Sequence, residues 1–185
     1  DNPDYDKIKA KSGILVDFDL DGDLDLYYGY QYNYFFENTD GMFSDKTIEY
    51  DVDSQGSFGL VSSDIDNNGY PDILKWRSND NDPHHLLLNN GNHEYIVTEY
   101  LQSDRLEHLH GQGMLDFDLD GDVDIVAIED MGDTQFHVYE NMGINSNGEL
   151  IFEESYSYDA YDGSTTKTLA IADYDNNGDQ DIFLA

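Results

Sequence analysis

Residues Asp17 to Asp25 read D-F-D-L-D-G-D-L-D, and three later stretches repeat this pattern with small changes. The later copies run D-I-D-N-N-G-Y-P-D from Asp64 to Asp72, D-F-D-L-D-G-D-V-D from Asp116 to Asp124, and D-Y-D-N-N-G-D-Q-D from Asp173 to Asp181. The copies start roughly 50 residues apart, a period that is typical of propeller or solenoid repeats. The sequence is therefore predicted to be a repeat protein.

Each Asp-rich window is preceded by a short run of small or apolar residues and is followed by an apolar run. For the first window these runs are Gly13 to Val16 and Leu24 to Tyr28. Short runs that are rich in β-branched and aromatic residues and bounded by turn residues are typical of strands. Each window is therefore predicted to be a loop that joins two strands.

A second repeated element follows each of the first three windows and consists of an apolar run, an Asn and a Gly-containing turn. It spans Phe35 to Phe43, Leu87 to Gly91, and Val138 to Gly143 with Phe152 a little later. This order is typical of a hairpin with a left-handed turn residue. Each repeat would then hold about four strands, as a propeller blade does. The predicted fold class is all-β, a partial propeller of three and a half to four blades of about four antiparallel strands each.

The predicted organisation is a single repeat domain over residues 1–185. Its blades cover approximately residues 11–56, 57–108, 109–165 and 166–185, the last of them incomplete because it stops after its second strand. Tyr5 to Ala10 could supply one of the two missing strands by closing the ring. We expect the sequence to be part of a longer chain, and a complete four-bladed ring is the alternative.

The Asp-rich windows are predicted to bind calcium. Alternating carboxylates on a tight turn converge on one point, Gly at position 6 permits a positive φ, and the position 7 carbonyl can face inward. An oxygen-only shell suits a hard cation such as calcium and suits zinc or copper poorly. The predicted side-chain ligands at positions 1, 3, 5 and 9 are Asp17, Asp19, Asp21 and Asp25; Asp64, Asp66, Asn68 and Asp72; Asp116, Asp118, Asp120 and Asp124; and Asp173, Asp175, Asn177 and Asp181. The predicted carbonyl ligands are those of Asp23, Tyr70, Asp122 and Asp179.

Up to four calcium ions are expected, in sites of two grades. The first and third windows offer four ligand carboxylates and the second and fourth offer three, so the latter pair should bind calcium more weakly. An EF-hand is excluded because it needs a Glu at position 12 and flanking helices. Position 12 is instead Tyr28, Lys75, Ala127 or Leu184. The alternative for any single window is an acidic surface turn without an ion.

The D-x-[DN]-x-[DN]-G-x-x-D loops between strands, with Asn-Gly turns downstream, resemble FG-GAP/VCBS repeats. Such repeats occur in integrin alpha-subunit propellers and in many secreted bacterial proteins. Phe58-Gly59 is suggestive of the Phe-Gly signature of integrins, but their Gly-Ala-Pro signature is not clearly present, so the sequence resembles the bacterial VCBS type more closely. The resemblance implies that each loop joins the two inner strands of a blade, that the blades surround an axis, and that calcium stiffens the loops. It assigns the same ligands as the spacing does.

The formal net charge is -33, from 41 Asp and Glu against 8 Lys and Arg. Such a charge disfavours binding to nucleic acid and to anionic membranes. No stretch is apolar enough to insert into a membrane. The absence of Cys excludes disulfides and thiolate metal sites. The six His residues lack an accompanying nucleophile motif, and we expect them at the surface or in loops.

These features favour a non-enzymatic, calcium-stabilised scaffold or adhesion module that is extracellular or on the cell surface. Its partner would be a protein, a glycan or another copy of the chain. A calcium-dependent lectin is one alternative, because Tyr28, Tyr30, Tyr32 and Tyr34 would share one face of a strand and could stack on sugars. The other alternative is an accessory propeller domain of a larger secreted enzyme.

Overall fold

A computed structural model describes residues 10–29, 32–50, 57–76, 85–92, 95–99, 109–130, 134–159 and 168–185. The regular secondary structure in these ranges consists of strands. The described part of the chain holds no helix that is long and apolar enough to cross a membrane. The all-β fold class expected from the sequence is confirmed. Tyr5 to Lys9, which the sequence offered as a ring-closing strand, lie outside the described residues.

The strands of the described residues form four antiparallel sheets, numbered here in chain order. Sheet 1 contains β1 (Ser12–Val16), β2 (Asp25–Gly29), β3 (Asn33–Thr39) and β4 (Met42–Asp45). Sheet 2 contains β5 (Gly59–Ser63), β6 (Asp72–Trp76), β7 (His85–Asn89) and β8 (Tyr95–Glu99). Sheet 3 contains β9 (Leu109–Leu115), β10 (Asp124–Asp130), β11 (Thr134–Ile144) and β12 (Leu150–Asp159). Sheet 4 contains β13 (Leu169–Ala172) and β14 (Asp181–Leu184).

Strands neighbouring in sequence are also neighbours in each sheet, so every sheet is a simple meander. The first two strands of each sheet form a hairpin whose loop is an Asp-rich window. In sheet 1 the last ladder pair before this loop is Val16 with Asp25. The equivalent pairs are Ser63 with Asp72, Leu115 with Asp124, and Ala172 with Asp181. All four windows are thus held in the same way, between two paired strands.

The outer hairpin of sheet 3 differs from the sequence-based expectation. That expectation placed its turn at Gly143, but β11 continues to Ile144 and the turn covers residues 145–149. Gly143 has a φ of 73° where the register between β11 and β12 shifts, so its left-handed conformation forms a bulge. Asn145 makes the actual turn, since its Oδ1 accepts hydrogen bonds from the backbone N–H groups of Asn147 and Glu149.

The sheets pack face to face through apolar side chains that alternate along the central strands. Tyr27 and Phe35 of sheet 1 meet Ile73 and Leu87 of sheet 2, and their exposure is 1% or less. The cluster between sheets 2 and 3 contains Leu74, Trp76, Leu86, Ile125, Ala127 and Tyr139. The cluster between sheets 3 and 4 contains Val126, Ile128 and Val138, with Leu169, Ile171 and Ile182 against them. Burying a large apolar side chain contributes about 1.5–3 kcal/mol, so these interfaces supply the main stabilisation.

The first strands of the four sheets lie side by side. β1 contacts β5, β5 contacts β9, and β9 contacts β13. The second strands follow outward in each sheet, and the Asp-rich loops connect the first strands to the second. The four loops therefore occupy equivalent places along one end of the stack. The limits of the individual repeats stay a prediction.

Candidate metal centres

The aspartate at position 1 organises the turn of each loop. In the first loop, Asp17 Oδ1 accepts a hydrogen bond from Asp21 N, and Oδ2 accepts one from Gly22 N, both at 3.0 Å. Asp19 Oδ1 also accepts from Asp21 N at 3.1 Å. The position 1 aspartates of the other loops, Asp64, Asp116 and Asp173, accept the same pair of backbone hydrogen bonds. The residues of the motif therefore fold their own loop by local hydrogen bonds.

Two residues of each loop adopt a left-handed backbone conformation. Gly22 at position 6 has a φ of 99°, and its counterparts Gly69, Gly121 and Gly178 have values between 94° and 102°. This is the conformation for which the sequence predicted a glycine. Position 4 is also left-handed, with φ values of 62° at Leu20, 56° at Asn67, 63° at Leu119 and 59° at Asn176. The sequence did not predict this second position, because two of its four residues are leucines, which rarely adopt a positive φ.

The aspartate at position 9 ties the loop to the third strand of its sheet. Asp25 is 1% exposed, its Oδ2 accepts a hydrogen bond from Phe18 N at 3.0 Å, and its Oδ1 accepts one from Asn38 N at 2.8 Å. Asp72 accepts from Ile65 N and Asn89 N, and Asp124 accepts from Phe117 N and Asn141 N. Asp181 accepts from Tyr174 N. The buried carboxylates of the three complete sheets therefore have both oxygens held by backbone donors.

The carboxylates at positions 1, 3 and 9 converge in every loop. One oxygen from each of the three side chains lies within 4.8 Å of the other two. We call these groups centre 1 (Asp17, Asp19, Asp25), centre 2 (Asp64, Asp66, Asp72), centre 3 (Asp116, Asp118, Asp124) and centre 4 (Asp173, Asp175, Asp181). Such groups could hold metal ions, because oxygens at this spacing can reach a common cation.

The residues predicted at positions 5 and 7 are not part of these groups. Asp21 Oδ1 instead accepts a hydrogen bond from Asp23 N at 2.8 Å, and Asp120 Oδ1 accepts one from Asp122 N at 2.9 Å. The counterparts Asn68 and Asn177 accept from Tyr70 N and Asp179 N. Every centre therefore contains three carboxylates. The two expected grades of site would differ only through the side chain at position 5, which is Asp in loops 1 and 3 and Asn in loops 2 and 4. The position 5 ligands, the position 7 carbonyl ligands and the two grades stay predictions.

In centres 1, 2 and 3 the carboxylates are held close together and the position 9 aspartate is buried. Burial raises the pKa of Asp72 to about 7, with the nearby charges of Asp66 and Asp64 adding to the shift and two backbone hydrogen bonds opposing it. Burial likewise raises the pKa of Asp25 and of Asp124. Both the desolvation and the mutual repulsion disfavour the ionised form. A cation bound among the three oxygens would offset both effects.

Two features of the structure were not predicted from the sequence. Asn38, Asn89 and Asn141 occupy the same position on the third strands, and the sequence suggested only that they were turn residues. The sequence signal for this shared position was the Asn that recurs in each copy of the second repeated element. The other feature is the burial of His85 and His137, which were expected at the surface or in loops but are each 7% exposed. This expectation was wrong because both residues lie on third strands. β11 places the His137 ring between two glutamates, with Nδ1 2.7 Å from Glu154 Oε1 and Nε2 3.5 Å from Glu129 Oε2.

Antiparallel meander sheets that stack face to face, with their first strands adjacent, define a partial β-propeller. In this propeller the loop between the first two strands of every blade carries a carboxylate triad. The family model for the FG-GAP-like repeat matches residues 17–75 and 116–184, which together make up more than half of the chain. The chain therefore belongs to the FG-GAP-like repeat family. No curated protein matches it.

Proposed function

We propose that this repeat domain is a calcium-stabilised, non-enzymatic scaffold or adhesion module that works outside the cell. The observation that carries the proposal is the recurrence of one carboxylate triad at four equivalent places. The donor set consists of oxygens, which fits a hard cation such as calcium better than zinc or copper. The centres lie in loops between paired strands, and the same triad recurs in all four loops, which favours a structural ion over a catalytic one.

The carboxylates at positions 1, 3 and 9 would hold the ion, and the predicted ligands at positions 5 and 7 would complete its shell. Bound calcium supplies positive charge among the acids and no redox chemistry. Ten- to hundredfold excess of calcium over the dissociation constant would add about 1.4–2.7 kcal/mol per centre by mass action. Four filled centres would thus contribute as much as the whole net stability of about 5–15 kcal/mol that is usual for a domain.

An extracellular location follows from this proposal. Calcium sites of extracellular modules have dissociation constants of about 10⁻⁴–10⁻³ M, and such sites fill only where calcium is abundant. The formal charge of -33 opposes binding to nucleic acid and to anionic membranes. We propose a non-enzymatic role because ion binding accounts for the carboxylate triads that recur in the four loops.

The two outer faces of the stack offer surfaces for a protein partner or for another copy of the chain. The interior faces are covered by the neighbouring sheets, whereas Leu15 of sheet 1 is 56% exposed and Phe183 of sheet 4 is 70% exposed. Exposed apolar patches of this kind are typical of interaction sites. An accessory role beside a catalytic domain would use the same faces, and it is the alternative within this proposal.

A carbohydrate-binding role is the second candidate function. It is favoured by a row of stacked rings on the outer face of sheet 1, where Tyr28 lies 5.2 Å from Tyr34 and 5.9 Å from Phe36 between ring centroids. Tyr32 nearby is 63% exposed, and Tyr30 lies outside the described residues. Flat aromatic surfaces can stack on sugar rings. Glycan-array binding that needs calcium and is lost in Tyr28→Ala and Tyr34→Ala would support this role.

Thermal unfolding with calcium, with magnesium and with excess chelator tests the main proposal. We expect the midpoint to be highest with calcium and lowest with chelator. Asp64→Asn should lose about 1.4–2.7 kcal/mol of the calcium-dependent gain, which is the contribution of one centre. Asp159→Asn is the matched control, because it removes the same charge from an exposed strand residue and should keep the full gain. A wild-type midpoint that calcium leaves unchanged would contradict the proposal.

A further inference from the structure

Two buried asparagines reach from one sheet into the metal-binding loop of the sheet before it. Asn89 Nδ2 donates a hydrogen bond to Phe18 O, and Asn141 Nδ2 donates one to Ile65 O, both at 2.8 Å. Asn89 is 1% exposed and Asn141 is 6% exposed. Hydrogen bonds in such surroundings are costly to leave unmade, so each fixes the position of the loop relative to the next sheet.

Both ends of these bonds are attached to carboxylates of the centres. Phe18 N donates to Asp25 Oδ2 in centre 1, while Asn89 N donates to Asp72 Oδ1 in centre 2 at 2.7 Å. Asp25 and Asp72 are therefore joined through the backbone of Phe18 and the whole of Asn89. We call this connection the first relay.

The same connection is repeated one sheet further on. Ile65 N donates to Asp72 Oδ2 at 2.9 Å, and Asn141 N donates to Asp124 Oδ1 at 2.8 Å. This second relay joins Asp72 to Asp124 through Ile65 and Asn141. Since Asp72 belongs to both relays, centres 1, 2 and 3 lie on one continuous path of hydrogen bonds.

We propose that Asn89 and Asn141 are positioning residues that couple neighbouring centres, so that an ion in one centre raises the affinity of the next centre for its own ion. The proposal rests on the calcium binding proposed above. An ion that fixes Asp25 also fixes the Phe18 peptide, which orients Asn89 and through it Asp72. The second ion then meets a carboxylate that is already ordered and loses less conformational entropy on binding. The coupling is reciprocal, and couplings of this kind typically change affinity about five- to 150-fold.

Centres 1 and 2 give the clearest test. Loops 2 and 3 share a second hydrogen bond, from Asn67 Nδ2 to Asp122 Oδ1 at 2.7 Å, which could couple centres 2 and 3 without Asn141. Loop 1 has Leu20 at the place of Asn67, and a leucine side chain cannot donate a hydrogen bond. The effect of Asn89 can therefore be measured between centres 1 and 2 without this second bond.

The chain contains a matched control for Asn89. Asn38 occupies the same position in sheet 1, and its backbone N donates to Asp25 Oδ1. Its amide Nδ2, however, donates to Leu24 O in its own loop. Asn38→Leu therefore removes a local side-chain bond of the same kind and leaves both relays in place, whereas Asn89→Leu breaks the first relay.

Calcium titration followed by NMR of ¹⁵N-glycine-labelled protein can read each loop separately. The backbone N–H of the position 6 glycine donates a hydrogen bond to the position 1 aspartate of its own loop, at Gly22, Gly69, Gly121 and Gly178. Asp17→Asn disables centre 1, and the midpoint at Gly69 then reports the affinity of centre 2. The comparison is made in three backgrounds, namely wild type, Asn89→Leu and Asn38→Leu.

We expect Asp17→Asn to raise the calcium midpoint at Gly69 by at least about fivefold in the wild-type and Asn38→Leu backgrounds. In the Asn89→Leu background the same change should shift this midpoint by less than about twofold. Asn89→Ser, which shortens the side chain and keeps it polar, replaces the leucine variant if that variant does not fold.

Two results would overturn the coupling, namely a Gly69 midpoint that Asp17→Asn leaves unchanged in the wild type, or an equal shift with and without Asn89. If the four centres titrate with calcium independently of one another, the coupling is rejected but the proposed calcium binding is not. Calcium that moves none of the four glycine signals would instead reject the proposed function itself.

Centre 4 is an internal control, because sheet 4, as far as the structure describes it, has two strands and no counterpart of Asn89. Disabling centre 3 by Asp116→Asn should therefore leave the midpoint at Gly178 unchanged.

Discussion

Gly59 lies where the first strand of sheet 2 passes over the indole ring of Trp76. The two residues are partners in the β5–β6 ladder, and a Cβ added at Gly59 would overlap the ring. Trp76 is 9% exposed and belongs to the cluster between sheets 2 and 3. The ring thus occupies the space that any side chain at position 59 would need. Glycine is required at this place for packing and not for its backbone conformation.

Gly59→Ala should therefore lower the free energy of unfolding by about 1–3 kcal/mol, the usual cost of overpacking a core. Chemical denaturation with calcium held in excess measures this cost. Trp76→Phe supplies the control, because a smaller ring leaves room for the added methyl group. The alanine should cost less in the Trp76→Phe background than in the wild type. Equal costs in the two backgrounds would show that the overlap with the indole does not limit the site.

At the scale of elements, the loops and their flanking strands could be predicted because both are encoded locally. The carboxylate at position 1 bonds N–H groups four and five residues later, and Gly22 supplies the positive φ of the turn. The bond from Asn89 to Phe18 spans 71 residues, and no local pattern specifies it. The outer turn of sheet 3 was misplaced because Gly143 and Gly148 both suit a left-handed turn, and the pairing with β12 decides between them.

The burial of His137 is another property that depends on pairing between strands. Its neighbours Glu129 and Glu154 lie on β10 and β12, on either side of β11. Burial by itself lowers the pKa of His137, but the interactions with Glu129 and Glu154 outweigh burial and raise this pKa above its ordinary value of 6.5. A protonated imidazolium would pair with both glutamates across the three strands, whereas the neutral ring leaves two carboxylates facing an uncharged group.

The raised pKa gives a defined dependence of stability on pH. Because the folded state binds the proton more tightly than the unfolded state, the stabilisation is complete below pH 6.5 and is lost as the pH rises through the folded-state pKa. His137→Gln should thus cost about 1 kcal/mol more at acidic pH than at alkaline pH. Denaturant unfolding of wild type and variant across this range, in excess calcium, measures the difference. His85→Gln is the control for replacing a buried third-strand histidine. A cost of His137→Gln that does not change with pH would contradict the charged state.

On the scale of the whole molecule, the fold combines apolar interfaces between sheets with acidic loops along one end of the stack. The formal charge of -33 acts against compaction everywhere, whereas the apolar clusters act only between neighbouring sheets. Four divalent ions would neutralise eight of these charges at the places where the carboxylates lie closest together. Cation binding therefore reduces repulsion and fixes the loops at the same time.

This balance predicts a strong response of the calcium-free protein to salt. Raising the NaCl concentration from about 0.01 M to about 0.15 M shortens the screening length from about 30 Å to about 8 Å, which weakens repulsion between distant carboxylates. In excess chelator we expect the unfolding midpoint to rise over this range. In excess calcium the rise should be smaller, since less charge remains to be screened and specifically bound ions are already in place. Potassium chloride serves as a control for a sodium-specific effect, and it should give the same rise. An equal salt response with and without calcium would contradict this expectation. It would mean that most of the repulsion arises from the remaining acidic surface and not from the carboxylates of the four loops.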